Sequence, residues 1–131
     1  MKILYVVNQV PYPPDNGVRI VSYHAMRLMK ELGHTVEVLV LSEETDNAEQ
    51  RVKELVNMYG LCFSQLVKIN GNRLFFKKIK SILLGRLYFV ERHNSTEFSC
   101  LVDKTIQEFK PDSVHFDTIA MLQYRKNVCE D

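Results

Sequence analysis

Hydrophobic positions along the chain switch between two rhythms. Residues 2–8 (KILYVVN) are β-branched and aromatic, with apolar side chains on both faces. That pattern predicts a central parallel strand covered on two sides. Residues 9–17 (QVPYPPDNG) hold three prolines and a glycine and must form a loop. Proline brings no ladder donor, and it biases its predecessor away from helix geometry. Residues 18–32 then repeat apolar side chains at Val21, Ala25, Leu28 and Leu32, which predicts a helix burying that stripe. Asp15 or Asn16 can cap its start, and Gly33 can end it in the left-handed conformation.

The alternation continues. Residues 35–41 (TVEVLVL) predict a second strand, and residues 46–59 a helix with Val52, Leu55, Val56 and Tyr59 on one face. A third strand is expected at 65–69, closed by Asn70-Gly71. Residues 72–85 are helical again, with Phe75, Ile79, Ile82 and Leu83 as the apolar side, and 87–95 are expected to be irregular. Residues 96–109 predict a helix that buries Phe98, Leu101, Val102, Thr105 and Phe109 before Pro111 stops it. A short buried strand at 113–117 and a loop with a short helix at 118–131 complete the chain. Strands and helices in turn imply a single α/β domain over 1–131: three layers, α/β/α, around a mainly parallel sheet with right-handed crossovers.

Composition narrows the function classes. With 46% hydrophobic and 25% charged residues and a formal net charge of +1, the chain is that of an ordinary globular protein. It lacks the basic excess of a nucleic-acid binder. Cys62, Cys100 and Cys129 are odd in number and form no CxxC pair. They are expected as reduced thiols in or near the core, not as a disulfide framework or a zinc site. The apolar run 3–7 is too short for a signal peptide, and nothing approaches the roughly 18 apolar residues of a membrane span. A cytoplasmic protein is the expectation.

In parallel sheets, ligands bind where the strands end, near the point at which strand order reverses. Here the segments 8–17 and 115–118 form that edge. Gly17 stands just before a helix, so the amides of Gly17, Val18 and Arg19 can face an anion, aided by the helix dipole. The same Asn16-Gly17 pair also reads as a plain turn and cap, and spacing leaves both open. The dinucleotide GxGxxG, the phosphate-cradling GxxxxGK[ST] and the GxSxG elbow are all missing. His24, His34, His93 and His115 lack metal-ligand spacing, so neither a metal nor a cofactor is expected.

Taken together, 2–8, the loop Pro11-Tyr12-Pro13-Pro14-Asp15-Asn16-Gly17, the helix with Arg19, Ser22 and Tyr23, and the turn Gly33-His34-Thr35-Val36 resemble the opening of family-four retaining glycosyltransferases. Pro111-Asp112-Ser113-Val114-His115-Phe116-Asp117 resembles the family's fourth-strand segment, usually "P-D-V-V-H". The proline-rich loop with Arg19 is most similar to sugar transferases of bacterial exopolysaccharide and capsule assembly. The resemblance implies the N-terminal, acceptor-side Rossmann-like half of a GT-B fold, without the C-terminal domain that mainly holds the donor. It implies a nucleotide-sugar donor, a glycan or lipid-linked acceptor, and no transfer by this half alone. Gly17 would lie against the donor diphosphate, with Asn16 where many members have a second glycine. Asp15 and Arg19 would contact acceptor or phosphates, and His115 or Asp117 would face the cleft as the catalytic position.

One segment stands outside that scheme. Arg73, Lys77, Lys78, Lys80 and Arg86 are interleaved with Leu74, Phe75, Phe76, Ile79, Ile82, Leu83 and Leu84, without an acid. Residues 73–86 can therefore be read as a peripheral contact with the inner face of a membrane. They can also be read as a helix whose basic face is solvated while its apolar face packs on the sheet. The rival to the enzyme is a non-catalytic flavodoxin-like ligand-binding or regulatory domain. A receiver, however, needs an acidic cluster after its first strand, where Asn8-Gln9-Val10-Pro11 stand. A nucleotide-sugar epimerase or dehydrogenase half would need the glycine fingerprint and an acid ending the second strand, where Leu41-Ser42 stand.

Overall fold

The computed structural model describes residues 1–43, 47–60, 63–69 and 74–127. Four strands, β1 (Lys2–Val7), β2 (Thr35–Ser42), β3 (Phe63–Lys68) and β4 (Ser113–Phe116), form one parallel sheet in the order β3-β2-β1-β4. The helices are α1 (Gly17–Glu31), α2 (Ala48–Tyr59), α3 (Leu74–Leu83), α4 (Tyr88–Arg92) and α5 (Thr96–Phe109), followed by a 3-10 turn at Met121–Asn127. This is the three-layer, Rossmann-like α/β arrangement that the alternating pattern implied.

β1 and β2 are central because they are apolar on both faces. Tyr5, Val7, Val38 and Val40 pack with Met26 of α1 and Leu55 of α2. Their alternate neighbours Leu4, Val6, Leu39 and Leu41 pack with Phe98 and Val102 of α5 and with Met121 and Tyr124. Two cores, one on each side, leave the carboxyl ends of the strands as the free rim.

Several expectations change. α1 does not bury Val21, Leu28 and Leu32: Val21 is 64% exposed, Leu28 and Leu32 are open too, and only Ala25 of the expected stripe packs, half-buried, against the core. The inward stripe is Arg19, Ser22 and Met26. Its polar members can be buried because each has a partner, and that outweighs the greater hydrophobicity of the outer stripe. α3 likewise turns Phe75, Ile79, Ile82 and Leu83 outward and keeps Leu74 and Ser81 inward. The segment expected to be irregular contains α4. β4 is a half-exposed edge strand, not a buried one, with Ser113 and His115 open to solvent. Cys100 is exposed, whereas Cys62 and Cys129 lie outside the described residues, as do Asn70-Gly71 and the start of the 72–85 stretch.

Candidate functional site

β1 and β4 are neighbours, yet the connections leaving and reaching them run to opposite sides of the sheet. Their carboxyl ends therefore mark the switch point where a ligand fits an open α/β sheet. Two buried side-chain oxygens there, Asn8 Oδ1 after β1 and Thr118 Oγ1 after β4, find no hydrogen-bond partner among the described residues. Buried polar atoms are seldom left so.

The loop from β1 to α1 supplies the anion-facing element. Its Tyr12–Pro13 peptide is cis, and the Asp15 amide donates to the Pro13 carbonyl at 2.9 Å. Asn16 is extended, and its Oδ1 accepts the Arg19 amide at 3.0 Å, which makes it the N-cap of α1. The Arg19 amide is thus occupied and is not available to an anion, contrary to expectation. The amides of Gly17 and Val18 remain at the helix start. Gly17 does not need glycine's conformational range, since its φ lies outside the left-handed region. A Cβ built on it would meet nothing within 4 Å, so the backbone is open to close approach.

Arg19 is 8% exposed, and its Nη1 reaches Asp15 Oδ1 and Oδ2 at 2.7 and 3.0 Å. Hydrogen bonding to that guanidinium holds the Asp15 carboxyl below the usual carboxylate range. The pair stiffens the loop and largely spends the Arg19 charge internally.

Asp117 ties this helix to the sheet. Its Oδ1 accepts the Tyr5 hydroxyl at 3.0 Å, and Ser22 Oγ lies 2.7 Å from its Oδ2. Ser22 Oγ is also 2.9 Å from the Val18 carbonyl oxygen, but its single proton goes to the stronger acceptor, the carboxylate. Burial, and then the Asp117 charge, push the Tyr5 hydroxyl pKa upward, which keeps it a donor. His115 is exposed near the end of β4, with its ring stacked on Tyr5 at 4.5 Å between centroids. Asp15, Asn16, Gly17 and Arg19 therefore lie together, Asp117 joins them through Ser22, and His115 meets the Asp117 cluster through the Tyr5 ring.

A second part of the rim was not foreseen. A recess of about 240 Å³ is lined by Asn8, Gln9, Ser42, Glu43, Phe89, Arg92 and His93. Arg92 grips both carboxylate oxygens of Glu43 through Nε and Nη2, bridging α4 to the end of β2. Glu43 comes one residue after the position where an acid ends β2 in dinucleotide folds, and Arg92 engages it. His93 is buried, with Nδ1 2.8 Å from the Phe89 carbonyl oxygen. The only advance signal was a Glu just past a strand. A larger recess, about 630 Å³, lies at the open β3 edge between α2 and α5. Its walls include Val52, Leu66 and Leu101 and lie away from the rim, so it is better read as an unfilled sheet edge.

Among the described residues no His, Cys, Asp and Glu cluster could hold a metal ion, and no helix is long and apolar enough to cross a membrane. Comparison with protein-family models, curated proteins and solved structures finds no match.

Proposed function

We propose that this chain is the acceptor-side domain of a GT-B retaining glycosyltransferase, which moves a sugar from a nucleotide-sugar donor to a glycan or lipid-linked acceptor. One observation carries the reading. α1 opens at the carboxyl rim on an Asn16 cap with an unobstructed Gly17, on the same rim as the unpartnered Asn8 Oδ1 and Thr118 Oγ1.

In such a reaction the bond from the anomeric carbon to the diphosphate breaks, and negative charge grows on the leaving group. The Gly17 and Val18 amides, with roughly half a positive charge from the α1 dipole, would meet that charge without reorganising. Arg19, already paired with Asp15, shapes the loop. Asp117, with both oxygens engaged, positions α1 against β1 and β4. A partner domain would hold most of the nucleotide, so this half supplies one wall and no turnover by itself.

The test is titration of the chain with UDP and with GDP, followed by amide chemical shifts. Weak binding is expected, with Kd on the order of 1 mM, and shifts centred on Gly17, Val18 and the 8–9 and 118 positions. Tight binding would mean that the roles of the two halves are reversed. Shifts confined to the β3 edge, or none at all, would favour a non-catalytic ligand-binding or regulatory domain instead.

A further inference from the structure

We infer that a second copy of this chain pairs with the open sheet edge at β3, joining two four-stranded sheets into one. This goes beyond the sugar-transfer reading and does not depend on it. β3 ends the sheet among the described residues. Natural edge strands are usually blunted by proline, a bulge, a covering element or an outward charge. β3 has no proline, and its register with β2 is unbroken from Phe63 to Lys68. Its one charge, Lys68, is drawn off to Glu49 of α2 at 2.8 Å. The recess of about 630 Å³ between α2 and α5 lies where a further strand, about 4.8 Å from β3, would run.

The backbone fixes the register. Ile69 donates its amide to the Ser42 carbonyl oxygen at 2.9 Å, so the amides of 67, 65 and 63 also turn toward β2. The backbone groups of Ser64, Leu66 and Lys68 then point away from the sheet. A twofold axis perpendicular to the sheet beside Leu66 sets Leu66 opposite its own copy and Ser64 opposite Lys68 of the second copy. Antiparallel residues in such positions exchange both of their hydrogen bonds, and every outward group of the run finds a partner.

A strand of another protein could use the same edge, but the α5 wall is complementary to itself. Glu97, Cys100, Leu101 and Lys104 line the recess from one face of α5. Glu97 borders Lys68 and Lys104 borders Gln65 in adjoining recesses, so the middle of that stripe is level with Leu66. The same axis runs α5 antiparallel to its copy and brings Glu97 of each chain opposite Lys104 of the other. Both side chains are exposed. No ion pair holds Glu97 among the described residues. Lys104 reaches only its own Glu108, at 3.9 Å, on a helix surface where such a pair is weak. Val52, Leu66 and Leu101 supply the apolar floor. Twofold symmetry makes each of these contacts twice.

Sedimentation equilibrium of the 131-residue chain into the submillimolar range, combined with amide hydrogen exchange, tests this. A monomer–dimer equilibrium is expected, with the Leu66 amide exchanging about tenfold more slowly where the dimer dominates. Glu97→Lys sets like charges opposite each other and should raise the dimer Kd about tenfold. Lys104→Glu should do the same, and the double exchange Glu97→Lys, Lys104→Glu should return the native value. A chain that stays monomeric throughout overturns the inference. So does a dimer whose Leu66 amide exchanges as fast as in the monomer, since the contact would then lie elsewhere. Single reversals that leave the Kd unchanged, or a double exchange that binds no better than either of them, overturn it as well.

Discussion

Ser22 Oγ lies 2.7 Å from Asp117 Oδ2, so the second turn of α1 is bonded to the residue that follows β4. With Tyr5 donating to the other oxygen, one carboxylate joins β1, β4 and α1 beside the rim. Asp117→Ala strands the Tyr5 hydroxyl on a fully buried side chain, whereas Ser22 Oγ can turn its proton to the Val18 carbonyl oxygen at 2.9 Å. One stranded donor costs about 1–3 kcal/mol, and a loss of that size is expected in urea unfolding. Asp117→Asn, which can still accept the Tyr5 proton, should lose less. A loss under about 0.5 kcal/mol for the alanine variant would show that water satisfies the Tyr5 hydroxyl.

Asn16 offers a cleaner local test. Its Oδ1 satisfies the Arg19 amide, so Asn16→Ala should cost about 1 kcal/mol. Asn16→Ser, which can cap equally well, should restore nearly all of it. If serine fails to rescue, the stabilising contact is something other than the cap.

These two contacts show where the sequence was legible. Runs such as TVEVLVL, and the spacing of Phe98, Val102 and Thr105, announce their elements because burial on both faces, or on one helical stripe, leaves few ways to arrange them. The proline-rich loop and its cap were readable for a similar reason, since local chemistry dictates them. The inward face of α1 was not. Two stripes competed, and the one chosen holds Arg19 and Ser22, whose burial depends on Asp15 and on Asp117, 95 residues from Ser22. The outward turn of α3 was equally hidden, because periodicity locates an apolar stripe without saying which way it points. The Glu43–Arg92 clasp joins groups 49 residues apart and had no signature beyond an acid just past the second strand.

His93 links the recess to acid stability. Burial holds its imidazole below the ordinary histidine pKa, so the folded state refuses a proton that the unfolded chain accepts. Its contribution is full above the unfolded value of about 6.5 and is lost as pH falls through the lower folded value. The stability advantage of the native protein over His93→Gln should therefore shrink between pH 7.5 and pH 5. A difference that stays constant across that window would mean that His93 does not titrate differently on folding.

Glu37 carries the opposite sign. Desolvation, followed by repulsion from Glu108, raises its pKa in the folded state. Its favourable contribution is present below the unfolded value of about 4.3 and disappears as pH rises through the folded one. Glu37→Gln removes the buried charge, so its stability relative to the native protein should improve steadily from pH 4 to pH 7. Thermal unfolding at the two ends of that range decides it. An offset independent of pH would place the effect in packing.

The functional proposal is most exposed at Gly17, because there stability and binding should part company. Its φ is ordinary and no atom lies within 4 Å of an added Cβ, so Gly17→Ala can be accommodated without strain. Alanine also has less backbone entropy to lose, so stability should hold or rise by about 0.5–1 kcal/mol. A methyl group at that point would, however, stand where a diphosphate must approach the first amides of α1. UDP and GDP should then bind about tenfold more weakly, a change of about 1.4 kcal/mol, with the resonances of the 8–9 and 118 positions no longer moving on titration. If Gly17→Ala binds as the native chain does, the open space above the helix start is only a surface feature. Asn16-Gly17 would then be a turn and a cap and nothing more.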